Sequence, residues 1–347
     1  MSLQKQLIPL LFIVTVLIGG LTAACNAIDA EETDAEIVET TTAVYLPLVA
    51  TPAAARPDGA VQLNIPLGGS LQNAAWSPDG SQLLFTNFRG GYNIEPADLH
   101  IFTLADDTMR LLVADGSGNI NLPGAAWSAA TGQITFASSR EPHDEIFIIA
   151  AGGQTGDETA VTTRPALVAY EATFSPDGTW IVFESHELDV EDGGVITRYK
   201  VDGSGAYEPL TDADGDARQP NWSPAGDLIL YQQFANGQWD IWVMDTDGGN
   251  KRQLTAGVGD KTDASFSPNG RFIVYSSDSG ELAFANLFTL PVSGGEPTRI
   301  TQYNGYDGAP SWSPDGQWIA FESSPSDPDE EATTLWQIRL NPSPIAR

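Results

Sequence analysis

Cysteine is nearly absent from this chain of 347 residues: Cys25 is the only one. A disulfide within the chain is therefore excluded. Basic side chains are scarce as well, 16 Lys and Arg against 46 Asp and Glu, for a formal charge of −30. A surface this acidic repels polyphosphate, which excludes nucleic-acid binding by counterion release and docking on anionic lipid through a basic patch. Only three histidines are available for general-base or metal chemistry. The longest apolar run, Leu7 to Leu21, is broken by Pro9, Gly19 and Gly20. It falls short of the roughly 20 apolar residues that span a bilayer. What the chain has in plenty is turn formers, 34 Gly and 23 Pro, and core material, 41% hydrophobic with nine Trp and 14 Phe. That balance excludes wholesale disorder and suits an all-β fold better than a helical one.

Lys5 precedes the apolar run, and Thr22, Ala23 and Ala24 follow it. A positive start, a short apolar stretch and small residues form a secretory signal peptide, read here as residues 1–24. Leu21-Thr-Ala-Ala-Cys25 resembles the lipobox of bacterial lipoproteins, with Leu four residues before Cys where three is the commonest spacing. That resemblance implies an exported protein whose Cys25 is acylated, becomes the mature N-terminus and anchors the chain to the cell membrane, facing periplasm or exterior. Acylation consumes a thiol that is a liability in an oxidising compartment. Each buried CH₂ adds roughly 0.8 kcal/mol, so acyl chains can hold a protein that its own charge keeps off a membrane. Cleavage would leave 46 acidic and 15 basic residues, a formal charge of −31. Residues 25–60 read as a tether: Asp29, Glu31, Glu32, Asp34, Glu36 and Glu39, then a Thr/Ala/Pro-rich stretch. Such a composition buries too little to offset chain entropy. As a flexible coil it spans roughly 30–35 Å. A spacer that lifts a domain off the membrane and an unselected tail both fit.

From residue 61 the sequence repeats. The anchors are Trp76-Ser-Pro-Asp-Gly80, Trp127-Ser-Ala-Ala-Thr-Gly132, Phe174-Ser-Pro-Asp-Gly178, Trp222-Ser-Pro-Ala-Gly226, Phe266-Ser-Pro-Asn-Gly270 and Trp312-Ser-Pro-Asp-Gly316, spaced 51, 47, 48, 44 and 46 residues apart. Six copies at this period predict a β-propeller with four antiparallel strands, A to D, in each blade. Ser-Pro-Asp-Gly places each residue where a type I turn wants it and links strand A to strand B. Strand B is apolar on both faces, as in Trp180-Ile-Val-Phe183 and Leu228-Ile-Leu-Tyr231, so it is covered on both sides. Strand C is mixed, and strand D is the most polar, as in Lys251-Arg-Gln-Leu-Thr255, which suits an outer edge. The sixth repeat stops after its strand C, Leu335 to Leu340, while a spare strand, Val61 to Ile65, precedes the first anchor. The spare strand is predicted to pair beside residues 335–340 and close the ring.

Val243-Met-Asp-Thr-Asp-Gly-Gly-Asn-Lys-Arg-Gln-Leu-Thr255 and Pro310-Ser-Trp-Ser-Pro-Asp-Gly316 resemble the TolB-type, WD-like propeller repeat, and the resemblance extends over 61–340, with a short tail at 341–347. It implies a propeller fold and a habit of binding proteins. TolB proteins carry an α/β domain ahead of the propeller, where this chain has the tether.

The A–B and C–D turns share one face of such a ring, and the B–C and D–A loops share the other. The B–C loops, residues 88–97, 140–144, 187–194, 235–238, 279–285 and 325–333, differ most in length and composition. Function tends to lie in variable loops on a rigid scaffold. The predicted ligand-binding face therefore includes Arg89, Arg140, Glu141, His143, His186, Phe234, Asp278 and Glu322, with Tyr170, Glu171, Arg218, Asp263 and Asp307 from D–A loops. No Gly-x-Ser-x-Gly elbow and no Gly-rich phosphate cradle occurs, so no catalytic residues are assigned. His143 and His186 occupy similar loop positions in adjacent blades and could approach, but no metal site is assigned. Asp212-Ala-Asp-Gly-Asp216 and Asp189-Val-Glu-Asp192 offer oxygens a Ca²⁺ could use, although residue 223, where a bidentate Glu would complete an EF-type loop, is Ser. The expectation is a monomeric, lipid-anchored propeller without cofactor that binds an envelope or extracellular protein or peptide. The alternative is a carbohydrate-binding or metal-assisted enzyme propeller using the loop-face acids and histidines.

Overall fold

The computed structural model describes residues 54–114, 120–140, 143–190, 192–280 and 282–340. Cys25, residues 1–24, the tether as far as residue 53, the tail at 341–347 and Glu141 lie outside the described residues. Six four-stranded antiparallel sheets form the six predicted blades. In blade three, for example, strand A is Leu167–Phe174, B is Trp180–Glu187, C is Val195–Lys200 and D is Glu208–Pro209.

The apolar strands B show why the blades pack as a ring. Successive residues of a strand point to opposite faces, and here opposite faces serve different inter-blade cores. Ile181 joins the core between blades two and three, while Val182 joins the one between three and four. Ile229 and Leu230 divide in the same way between blades three–four and four–five. Six separate clusters result, one at each interface, including the interface between blades six and one (Leu71, Leu83, Phe85, Phe102, Ala320, Leu335). Each fully buried Leu, Ile, Val or Phe contributes roughly 1.5–3 kcal/mol, so no blade is stable alone.

The A–B turns form as expected. Gly80 N–H donates to Ser77 C=O at 2.9 Å, and Gly80 sits at φ +73°. Asp79 accepts from the Ser77 hydroxyl at 2.6 Å and the Ser81 N–H at 3.0 Å, which holds its carboxyl down to about 2.

Three residues before the anchor, strand A carries a bulge in which the chain turns left-handed, at Asn73 (φ 56°), Glu171 (54°), Gln219 (51°), Asp263 (55°) and Ala309 (43°). The N–H exposed by a bulge reaches back to the preceding blade. Gln219 N–H donates to Glu184 Oε2 at 3.1 Å, Asp263 N–H to Gln232 Oε1 at 3.2 Å, and Asn73 N–H to Glu322 Oε2 at 3.1 Å. Glu184, Gln232 and Glu322 each stand ten residues after their own anchors, so one repeat position latches successive blades. The last of these bonds joins blade six to blade one. There Glu322 Oε1 also accepts the hydroxyls of Tyr92 and Tyr306, each at 3.1 Å, whose rings meet edge-on at 6.2 Å.

Ring closure matches the expectation. Val61–Gln62 is the fourth strand of blade six, with Val61 opposite Gln337 and Gln62 opposite Trp336. The strand is shorter than the expected 61–65. Leu63 N–H still donates to Leu335 C=O at 2.9 Å, but Ile65 and Leu67 turn onto the core between blades six and one. The folded chain also begins earlier than expected, because residues 54–60 belong to the propeller and not to the tether. Gln62 N–H donates to Ala54 C=O at 2.8 Å, forming a hairpin, and Ala60 is fully buried between blades five and six. Arg56 grips Asp307 in a fork, Nη1 to Oδ1 at 2.8 Å and Nη2 to Oδ2 at 3.0 Å, with its guanidinium 4.2 Å over the Tyr303 ring and 4.9 Å over Trp336. Asp307 is fully enclosed, and burial raises its carboxyl against the pull of Arg56. The sequence offers Asp307 to a ligand; the structure commits it to the N-terminal arm.

Removing one partner of a buried pair strands the other charge, so Arg56→Ala should cost about 3–5 kcal/mol in urea unfolding. A loss below about 1 kcal/mol would show that the arm contributes nothing to closure. Glu322 generates a pH prediction. Burial and the charge of Asp263 push its carboxyl up to about 7 from an ordinary 4.5, outweighing its hydrogen-bond donors. A carboxyl raised in the folded state ionises first in the unfolded chain. Stability is therefore greatest below pH 4.5 for this group and falls as pH rises through 7, by on the order of 3 kcal/mol. Glu322→Gln should flatten the melting-temperature profile between about pH 5 and 8; an unchanged slope refutes the assignment.

Candidate functional site

The B–C and D–A loops of blades two to four enclose a cavity of about 1130 Å³ on the predicted face. Its shape depends on one close approach. Gly194, where the B–C loop of blade three re-enters strand C, donates its N–H to Asp216 Oδ1 at 2.8 Å and accepts from Ala217 N–H at 2.7 Å. A Cβ there would lie 2.7 Å from Ala217 O and 3.1 Å from His186 Cε1, so only glycine lets the loop close onto blade four.

The floor comes from blade three. Glu184 and His186 project from the same face of strand B, two residues apart, and His186 Nε2 lies 2.5 Å from Glu184 Oε1. Tyr170, midway along strand A and opposite Glu184, meets the His186 ring edge-on at 5.9 Å and donates its hydroxyl to Asp144 Oδ2 at 3.1 Å. Burial and the Asp144 charge raise the Tyr170 hydroxyl, which keeps it a neutral donor. Glu171 stands at the bulge, where burial and the Glu184 carboxylate push its carboxyl well above the usual range. Three acceptor atoms of this lining are closed off without a hydrogen-bond partner: Asp144 Oδ1, Glu171 Oε2 and His186 Nδ1.

The wall toward blade four is different. Arg218 forks onto Asp216, Nε to Oδ1 and Nη2 to Oδ2 both at 2.9 Å, and lies 5.2 Å over the Trp239 ring. Phe234 packs tilted against Trp239 at 5.3 Å. With Leu188 (37% exposed) and Val190 (46%), Phe234 (44%) forms an apolar lip.

Of the residues expected on this face, His143, Tyr170, Glu171, His186, Arg218 and Phe234 line one cavity. Those expected in D–A loops (Tyr170, Glu171, Arg218, Asp263 and Asp307) stand within strands A instead, because pairing with strand B extends past the bulge. Asp263 and Glu322 lie nearer the ring axis, in the latches between blades, where Asp263 accepts Gln219 Nε2 at 2.8 Å. The others are placed elsewhere. Arg89 pairs with Asp98 at 3.2 Å, and Arg140 pairs with Glu158 and donates to Ala114 C=O at 3.3 Å. Asp278 accepts Asp260 N–H at 2.7 Å, which ties a D–A loop. His143 and His186 do share the cavity, but among the described residues no three His, Cys, Asp or Glu converge on a metal position. The 212–216 acidic stretch is drawn into structure, with Asp216 taken by Arg218 and Gly194. Leu188 and Val190 fall within the predicted loop 187–194 without being singled out, Trp239 follows the predicted loop 235–238, and Glu184 precedes any predicted loop. Glu184 was within reach, because it occupies the same repeat position as Glu322.

Similar proteins agree with this architecture. An uncharacterized protein of Agrobacterium fabrum is 26% identical over 267 residues, covering 71% of this chain and 82% of its own. The Tol-Pal system protein TolB of Francisella tularensis subsp. mediasiatica is 34% identical over 110 residues, 31% of this chain. That match spans only 24% of the TolB protein's length. The structure of putative TolB from Agrobacterium tumefaciens superposes with a TM-score of 0.59 over 78% of this chain and 90% of that one, at 20% identity, a likeness of fold. Residues 61–283, well over half of the sequence, match the TolB beta propeller domain, and the chain belongs to that family.

Proposed function

We propose that this chain is an exported, lipid-anchored propeller that binds a segment of another envelope or extracellular protein in the loop-face cavity over blades two to four, without catalysis of its own. The observation that carries this reading is the cavity itself: large, set on the face with the variable loops, floored by polar groups and lipped by exposed apolar side chains. Exposed apolar surface beside a concave site is how protein-binding faces are marked. Membership of the TolB propeller family and the Francisella relative's name support an envelope role. The Tol–Pal role of that relative is not carried over, since so little of its length is matched. Lipid on Cys25 supplies the membrane attachment that the acidic surface cannot.

Two experiments test this reading. A photo-crosslinking side chain at position 234 should capture a partner, whereas the same group at position 79 on the turn face should not. Phe234→Ala should weaken that partner's binding about ten-fold or more, the scale of an aromatic anchor. Equal capture from both faces removes the site. Separately, Cys25→Ala should move the protein from the membrane fraction to the soluble one, and retention on the membrane would discard the lipid anchor.

A further inference from the structure

The chemistry of the cavity specifies its occupant as well as its location, provided that a partner segment docks there as proposed. Arg218 is neutralised by its fork onto Asp216. The lining also holds Asp144, Glu171, Glu184, Glu187, Asp189 and Asp192, and among the described residues its one Lys or Arg to set against them is Arg218, which reaches Asp192 as well at 3.9 Å. An anionic segment is therefore excluded. The unpaired atoms of the lining are of one kind. Asp144 Oδ1, Glu171 Oε2 and His186 Nδ1 all lack a partner, and no side-chain donor of the lining is left in the same state. His186 is only 4% exposed. When its Nε2–H serves Glu184, Nδ1 is left as a buried acceptor with nothing to accept. A site made of unpaired acceptors and uncompensated acids calls for a ligand rich in donors, carrying positive charge and no acceptor. Lysine and arginine side chains meet that description throughout neutral pH, and histidine only when protonated.

The lip adds a second requirement. Leu188, Val190 and Phe234 stand exposed beside the mouth, and apolar neighbours of the basic residue would cover them. We infer that the cavity takes a basic side chain of the partner, lysine or arginine, inserted toward Glu184 and Glu171, with an adjacent apolar side chain seated on Phe234, Leu188 and Val190. The occupant is a segment of a second protein with a basic residue between apolar ones. Charge complementarity supports it: a chain of −30 attracts a cationic partner at long range, and the cavity concentrates that attraction at one point.

The test uses the full-length protein and blocked tripeptides, leucine-lysine-leucine and its glutamine and glutamate counterparts, followed by titration calorimetry. The lysine peptide should bind at least about ten-fold more tightly than the glutamine peptide, the cost of one lost charge pair, and the glutamate peptide should not bind. Glu171→Gln and Asp144→Asn should reduce the lysine preference to within about three-fold, with the melting temperature of each variant recorded to show an intact ring. Phe234→Ala should weaken the lysine and glutamine peptides alike. Equal binding of lysine and glutamine peptides, no binding of either, or a preference that survives both acid substitutions overturns the inference. A partner crosslinked from position 234 whose contact segment lacks a basic residue also overturns it while leaving the docking face standing. Failure to crosslink from 234 removes the docking face itself.

Discussion

Strand B is buried on both faces in every blade, and that constraint governs the rest of the molecule. A sheet with two apolar faces has no stable existence in water unless a neighbour covers each. In a row of blades the first and last would each keep one face bare. Closing the row into a ring is the solution that leaves no blade uncovered. Leu83 and Ala320 meet at the closure as Ile181 meets its neighbours inside the ring, so the closing interface is a core like the other five. Everything that holds blade six to blade one therefore acts on all six cores together.

Three devices converge at that closure. The strand Val61–Gln62 supplies backbone pairing, the hairpin around Arg56 covers the edge, and Glu322 accepts donors from three chain segments. They differ in character. Backbone pairing is insensitive to pH. The Arg56–Asp307 pair is enclosed and lies within a cluster of aromatic rings, where salt screens it weakly. Glu322 ionises near neutrality, so its latch is the one that responds to acidity in the physiological range. The same strand-B position in blade three carries Glu184, which latches blade four and also floors the cavity. Structural and ligand-facing chemistry thus come from one repeat position, and the difference lies in which loops stand above it. Above Glu184 lies the cavity over blades two to four. At Glu322 the Tyr92 and Tyr306 hydroxyls are bound to the carboxylate instead.

Much of the fold was legible because a repeat states the same physical instruction six times. The aromatic anchors, the Ser-Pro-Asp-Gly turns and the doubly apolar strands are local patterns, and their period yields the blade count. The closing strand was legible by subtraction, since the sixth repeat lacks a strand and the N-terminus has one to spare. The extent of the N-terminal arm was not, because Ala54 to Asp58 has the composition of a linker. Its order depends on Arg56 finding Asp307 some 251 residues away, a contact no local window contains. Asp307 itself was misjudged for the same reason: a loop carboxylate reads as solvated until its partner is known.

The sequence by itself determined the all-β propeller and its six blades, and it singled out the loop face that the proposed function uses. These follow from periodicity and turn chemistry, both of which are carried by neighbours along the chain. Only the tertiary structure decided which of the thirteen expected loop-face residues act together. The packing of neighbouring blades placed His143, from a loop, and Tyr170, Glu171, His186, Arg218 and Phe234, from strands, around one hollow, while closer partners sent Arg89, Arg140, Asp278 and Asp307 to other duties. The physical reason is pairing. A charged side chain is available to a ligand only if no closer partner claims it, and here the partner stands on a neighbouring strand or loop of the same blade for Arg89, Arg140 and Asp278, and on the N-terminal arm for Asp307.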